Sequence, residues 1–165
     1  MVGSSLKGVV RQVRVPGAAR SLSTLPRVDY ADAFLVQTGP ARDRTGEQWA
    51  RAFLEDVPIV VRSALLSAWS ALGLRLGSPR SDRFVLGWEV RRRTPDFVLL
   101  GAGGRLGLAG ELLFERRQRT LLFATFVQQS NPLARAVWAG VASGHRRVVR
   151  TLLEQAGRRE RREPA

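Results

Sequence analysis

The stretch from Asn131 to Gly157, NPLARAVWAGVASGHRRVVRTLLEQAG, decides the fold, because both of its ends carry residues typical of helix termini. Asn131 can cap the first turn by accepting a backbone N–H, and Pro132 suits the first helical position, where its missing donor is not needed. Gly157 can adopt the left-handed conformation that ends a helix. At about 100° per residue the apolar side chains share one arc: Ala134, Val137, Trp138, Val141, Val148, Val149, Leu152 and Ala156. The pattern predicts one long amphipathic helix.

A run of strand-like residues, Arg119 to Gln129, immediately precedes this helix. The strand would span about 36 Å, and the helix would span about 37 Å at its smaller rise per residue. The two lengths match. We therefore expect a long C-terminal helix that lies along a sheet.

Composition is that of one ordinary globular domain of 165 residues with a normal apolar fraction of 44%. The absence of cysteine excludes disulfides and thiolate chemistry. No apolar run approaches the roughly 20 residues of a membrane span, and the N-terminal sequence lacks the apolar core of a signal peptide. These features predict a cytoplasmic protein without a transmembrane segment.

The net charge of +13 comes almost entirely from arginine, since Lys7 is the only lysine. Such a charge raises nucleic acids and anionic membranes as partners. The arginines are scattered along the chain, however, and their densest run, residues 158–162, follows the predicted helix. We therefore expect no specific nucleic-acid partner, and a basic adaptor for nucleic acid or anionic surfaces stays an alternative.

Taken in order, the chain divides into three parts. Residues 1–24 lack periodicity and predict a mobile leader, residues 25–157 a single domain, and residues 158–165 a basic tail. Within the domain, the alternation over Arg27 to Val36 predicts a first strand, followed by a turn at Gly39-Pro40. Two short helices come next: one opens at a capping box of Thr45 and Gln48, and the other runs from about Val57 to Leu72.

Beyond these helices the apolar pattern changes to a period of two. Phe84, Leu86, Trp88 and Val90 alternate with other residues, and further strands follow at residues 96–102, 105–116 and 120–129. Gly103-Gly104 is suited to a hairpin turn between two of them. The order of strand, two helices, antiparallel strands and a long helix predicts an α+β fold with one curved sheet wrapped around a helix.

This order, together with two short motifs, resembles the START-like superfamily, also called SRPBCC or helix-grip proteins. The motifs are DYADAF at residues 29–34 and HRR at residues 145–147. The resemblance implies a sheet that grips the C-terminal helix, with a cavity between them for a lipid, polyketide or other hydrophobic molecule. One departure is that five strands are clear, where the family has six or seven. Hidden strands are therefore expected near residues 74–76 or at a break within residues 105–116.

Candidate site residues follow from the same picture. His145 is the only histidine and falls in the middle of the apolar arc of the last helix, where it would point into the cavity. Asp32, on the apolar face of the first strand, is its natural companion. His145 could be a proton donor or could anchor a ligand carbonyl by a hydrogen bond, or it could be a buried imidazole bonded to a backbone carbonyl or to Asp32. The remaining predicted ligand contacts are Tyr30, Trp88, Phe126, Trp138 and Val141.

Three other kinds of chemistry have weak support in the sequence. The glycine spacing of residues 101–107 resembles a dinucleotide-binding loop, but too few residues follow it for the further βα units that such a domain needs. One histidine and no cysteine argue against a transition-metal site. No G-x-S-x-G motif of a hydrolase occurs. We expect no metal and no cofactor.

Three functions from different classes remain open. The first, which we favour, is binding of a hydrophobic small molecule between sheet and helix. The second is an enzyme of the cyclase or dehydratase type, which requires Asp32 and His145 within hydrogen-bond reach of each other. The third is the basic adaptor, which requires steep salt dependence of binding.

Overall fold

The protein is described by a computed structural model over residues 10–38 and 44–162. Seven strands and four helices lie in these residues, in the order β1 (Val10–Val13), α1 (Gly17–Arg20), β2 (Tyr30–Gln37), α2 (Gly46–Leu54), α3 (Ile59–Ala71), β3 (Phe84–Val85), β4 (Trp88–Arg93), β5 (Phe97–Ala102), β6 (Leu108–Arg116), β7 (Thr120–Gln129) and α4 (Pro132–Arg162). None of these helices is both long and apolar enough to cross a membrane. The predicted turn at Gly39-Pro40 lies outside the described residues.

The strands form one antiparallel sheet in the order β1-β2-β7-β6-β5-β4-β3. The early strand β2 therefore pairs with the last strand, β7, with β1 on one side of this pair and β6 to β3 on the other. The predicted α+β class, with one curved antiparallel sheet and a long C-terminal helix, is confirmed.

Alternation along the strands gives the sheet an inner and an outer face. On β7, Phe123 faces inward and packs in the main core with side chains of α2 and α4, whereas Phe126 faces outward. The register extends this alternation across the sheet, because Thr125 lies opposite both Asp32 on β2 and Leu112 on β6. All three of these residues therefore belong to the inner face.

The last helix begins as predicted but ends later. The amide nitrogen of Ala134 donates to Asn131 Oδ1 at 2.8 Å, which is the expected cap. The predicted end at Gly157 is wrong, since this glycine is buried within a helix that continues to Arg162. Contacts hold the added turn in place, as Arg159 donates to the carbonyl of Asp56 and Glu160 pairs with Arg44. Residues 158–162 are thus helix and no tail, and residues 163–165 lie outside the described residues.

One of the missing strands is β1, within the predicted leader. Residues 10–13 pair with β2 over the register Val10↔Val36 to Val13↔Ala33. The prediction of a mobile leader is therefore wrong for residues 10–24, whereas residues 1–9 lie outside the described residues. A strand as short as VRQV carries too little alternation to be recognised from sequence.

The other missing strand is β3, which the sequence pattern fuses with β4. Leu86 and Gly87 both have positive φ, 45° and 86°, and form a two-residue hairpin turn. Leucine rarely adopts such a φ, so the pattern of residues 84–90 predicts one continuous strand. The sites suggested for a hidden strand are wrong: Leu74 makes a single bridge to Gly104, and residues 108–116 form one unbroken strand.

The segment from β1 to β2 covers the outer face of the sheet and is fixed there by a buried carboxylate. Glu111 on β6 is fully buried and accepts hydrogen bonds from Ser23 Oγ, from the amide and hydroxyl of Thr24, and from Arg91 Nη1. The alternation of β6 predicts that Glu111 is solvated, and this prediction is wrong because residues 13–28 cover that face.

Candidate functional site

A cavity of about 1010 Å³ lies between the inner face of the sheet, α3 and α4. The sheet contributes aromatic, aliphatic and small residues, among them Trp88, Leu108, Gly110, Leu112, Thr125 and Val127. α3 and α4 supply the opposite walls, among them Val61, Leu65, Trp69, Trp138, Gly144 and His145. The volume of this cavity is at the upper end of the range of small-molecule sites, and the lining of such sites is usually mostly apolar.

The helix α3 forms its wall without being buried itself. Its sequence, IVVRSALLSAWSA, contains one charged residue, yet no residue of the helix is buried. Ile59 and Val60, in its first turn, are 69% and 75% exposed. An apolar helix that packs into a core buries one face. The apolar side chains of α3 are at most half-buried: Val61, Leu65 and Trp69 pack against the edge of the main core and also line the cavity.

Two glycines of α4, Gly140 and Gly144, lie on the cavity wall one helical turn apart. A Cβ atom built on either residue would meet no atom within 4 Å. The sequence suggests that these glycines allow either the close approach of another element or a bend that opens space beside His145. No other element approaches either glycine, so the first interpretation is wrong. Both are exposed and leave open space on the cavity wall, at a cost of roughly 1 kcal/mol each relative to alanine in a helix interior.

The predicted site residues divide into three groups. Trp88, Trp138, Val141 and His145 line the cavity. Tyr30 and Asp32 lie behind this wall, against Trp138 and His145. Phe126 does not line the cavity. Its side chain lies on the outer face of β7, in the outer core, whereas those of Thr125 and Val127 point to the inner face. Phe126 and Phe123 are three residues apart on one strand, so their side chains must lie on opposite faces of the sheet.

A chain of polar contacts lies behind His145. The hydroxyl of Tyr30 donates to Asp32 Oδ2 at 2.7 Å, and Arg146 Nη1 donates to the Tyr30 oxygen at 3.2 Å. His145 Nε2 lies 3.3 Å from Asp32 Oδ2, but the direction of approach leaves Nε2 without a hydrogen bond. The required proximity of Asp32 and His145 is therefore present as a contact, which becomes an ion pair only when the imidazole is protonated.

Burial, the hydrogen bond to Asp32 and its negative charge raise the pKa of Tyr30 to about 12 from the ordinary value of 10.0. The unfolded chain loses this proton near pH 10, so we expect stability to fall as the pH rises from about 10 to about 12. Tyr30 is the only tyrosine. Titration of phenolate absorbance should therefore give a single midpoint near 12, and a Tyr30→Phe variant should lack both the titration and this loss of stability. A midpoint near 10 would contradict the buried environment.

Sequence reasoning overlooked two contributors to the site. Thr125 lines the cavity beside Asp32, but a threonine among apolar residues of a strand gives no indication that its hydroxyl is buried. The wall formed by α3 was also missed. The sequence of α3 did contain a sign of this wall, since its leucine, valine and tryptophan residues lie on more than one face. Such a helix needs more apolar surface to pack against than an amphipathic helix does.

No protein family model matches the chain, and no solved structure matches it.

Proposed function

We propose that the protein binds a hydrophobic small molecule in the cavity between the sheet, α3 and α4, as a START-like helix-grip protein. The observation that carries the proposal is the cavity of about 1010 Å³ with its mostly apolar lining, on whose α4 wall the exposed Gly140 and Gly144 leave open space. Helix interiors favour alanine over glycine, and no protein atom occupies the space that a Cβ would fill. A bound molecule accounts for this space.

The unburied apolar surface of α3 supports the same proposal. Contiguous exposed apolar surface is costly and often marks a binding site. A ligand in the cavity would contact Leu65 and Trp69 from one side and Val141 and Leu152 from the other. The element order, with two short helices after β2 and a long last helix across the sheet, also fits the helix-grip arrangement.

Native mass spectrometry of freshly purified protein, with organic extraction of the same sample, tests the proposal. We expect a mass in excess of the chain that is lost on extraction and recovered as an apolar molecule. If the preparation is ligand-free, displacement of the neutral apolar dye N-phenyl-1-naphthylamine should reveal binding across a panel of lipids and polyketides. A ligand-free mass together with no dye binding would overturn the proposal.

The contact between Asp32 and His145 favours a second candidate function, acid–base catalysis of the cyclase or dehydratase type. Asp32, fixed by Tyr30, can orient the imidazole of His145, which lies on the cavity wall. The test compares binding with turnover of the extracted molecule or its precursors. A His145→Gln variant should still bind while losing turnover at least ~100-fold, as for removal of a general acid or base. Equal turnover by the variant would exclude this role.

A further inference from the structure

We propose that the ligand is an amphiphile with a carboxylate head group, and that Arg147, at the open edge of the cavity between the sheet, α3 and α4, binds this head group while the hydrocarbon tail fills the cavity. This inference rests on the proposed function and specifies the chemical class of the ligand.

The cavity opens to solvent between α3 and α4, where each helix contributes a row of exposed lining residues. In each row the residues recur every three or four positions, so they share one face of their helix. The row on α3 is apolar and consists of Val60, Ala64, Ala68 and Ala71. The row on α4, here named the polar rim, consists of Gly140, Gly144, Arg147, Thr151 and Gln155. One side of the opening therefore presents polar groups that a ligand can reach from solvent, whereas the other side presents apolar ones.

Among the described residues that line the cavity, Arg147 is the only one with a permanent charge, and none is an aspartate or glutamate. The nearby arginines of α4 already have partners: Arg146 donates to the Tyr30 hydroxyl, and the Arg150 guanidinium lies 5.8 Å from the centre of the Phe34 ring. Arg147 makes no ion pair, side-chain hydrogen bond or ring contact within the described part of the chain. Its guanidinium is therefore free to bind a ligand.

The chemistry of the polar rim favours a carboxylate. The planar fork of a guanidinium matches the two oxygens of a carboxylate, and the Thr151 hydroxyl, one helical turn away, can donate a further hydrogen bond. A carboxylate at this exposed edge keeps its contact with water and avoids the large cost of a buried charge, while the tail is removed from water in the apolar interior. The net charge of +13 also attracts an anion and repels a cation.

The test uses three probes with the same alkyl chain: decanoate, decan-1-ol and decan-1-amine, which is a cation at neutral pH. Each displaces N-phenyl-1-naphthylamine from the full-length protein at neutral pH. We expect decanoate to bind more tightly than decan-1-amine. The measured quantity is the ratio of decanoate affinity to decan-1-ol affinity, because the alcohol has the same tail without the charge.

Two variants locate the head group. Arg147→Gln should lower the ratio about 5-fold, the upper end for an exposed ion pair, and Arg147→Glu should make decan-1-amine bind more tightly than decanoate. Arg150→Gln is the matched control, because it removes the same charge from an exposed residue of the same helix that does not line the cavity. This variant should keep the ratio of the unmodified protein. Unchanged binding of decan-1-ol shows that each variant is folded.

The outcomes separate the inference from the proposed function. If the unmodified protein bound decan-1-amine as tightly as decanoate, or if Arg147→Gln left the ratio unchanged, the carboxylate inference would be overturned and the cavity would remain a binding site. An equal fall of the ratio in Arg150→Gln would also overturn it, since the preference would then come from overall charge. Failure of all three probes to displace the dye would count against both proposals.

Discussion

The double substitution Gly140→Leu and Gly144→Leu is expected to stabilise the ligand-free protein while abolishing its capacity to bind an apolar molecule. Both positions lie in the interior of α4, where leucine is favoured over glycine by somewhat under 1 kcal/mol each, so the free energy of unfolding should rise by about 1–2 kcal/mol. Both glycines line the cavity and no atom lies within 4 Å of either Cβ position, so this wall has room for leucine side chains that reduce the space open to a ligand. Dye affinity should fall at least ~10-fold, the lower range of the cost of overpacking.

Chemical denaturation and dye titration measure the two effects on one preparation. Ala139→Leu is the matched control, because Ala139 is exposed on the same helix and does not line the cavity. This variant should leave dye binding unchanged. A rise in the free energy of unfolding together with a fall in dye affinity would show that the glycines keep space open for a ligand. A double variant that binds the dye as tightly as the unmodified protein would show that the ligand lies elsewhere.

The substitution Glu111→Ala is expected to cost about 3 kcal/mol of stability, close to the lower end for breaking a buried ion pair. It removes the acceptor shared by Ser23, Thr24 and Arg91, and it leaves the Arg91 guanidinium, whose side chain is 25% exposed, without this partner. Residues 13–28 should then detach from the outer face, so limited proteolysis should cut this segment faster in the variant. Urea denaturation measures the loss of stability.

Glu89→Ala on β4, which is separated from β6 by β5, is the control for this experiment. The Glu89 side chain is 48% exposed and its closest partner, Arg83, lies at 3.9 Å, so its removal should change stability by less than ~0.5 kcal/mol. If Glu111→Ala were equally mild, the hydrogen bonds to Ser23 and Thr24 would not be what fixes the segment on the sheet.

Elements with long, regular patterns could be predicted from the sequence, and those determined by tertiary contacts could not. The alternation of apolar residues predicted β7. The start of α4 was predicted from its cap, whose donor and acceptor are only three residues apart in the sequence. The end of α4 was not predicted, because its last turn is stabilised by Arg44 and Asp56, which are remote in sequence. β1 depends on its partner β2 in the same way, since four residues form no sheet without a neighbour.

The site shows the same division. Helical periodicity places His145, Trp138 and Val141 on one face of α4, and all three line the cavity. The choice of Phe126 was wrong: alternation along β7 places it on the opposite face from Phe123, and which of the two faces is the inner one depends on the elements that pack against the sheet. The burial of Glu111 required knowledge of what covers the outer face, and the covering segment has no periodic pattern of its own.

The pairing of β2 with β7 has a consequence for the order of folding. The strands β3 to β7 form successive antiparallel neighbours, so each can pair soon after it is synthesised. β2 has to wait for residues 120–129, and closing so long a loop is slow. Meanwhile the inner surface of β5 and β6 and the apolar side of α3 remain uncovered on the ribosome, because α4 is synthesised only after β7. The cavity is therefore the last part of the protein to assemble, and under the proposed function a ligand present in the cell at that moment would compete with aggregation for the same exposed surface.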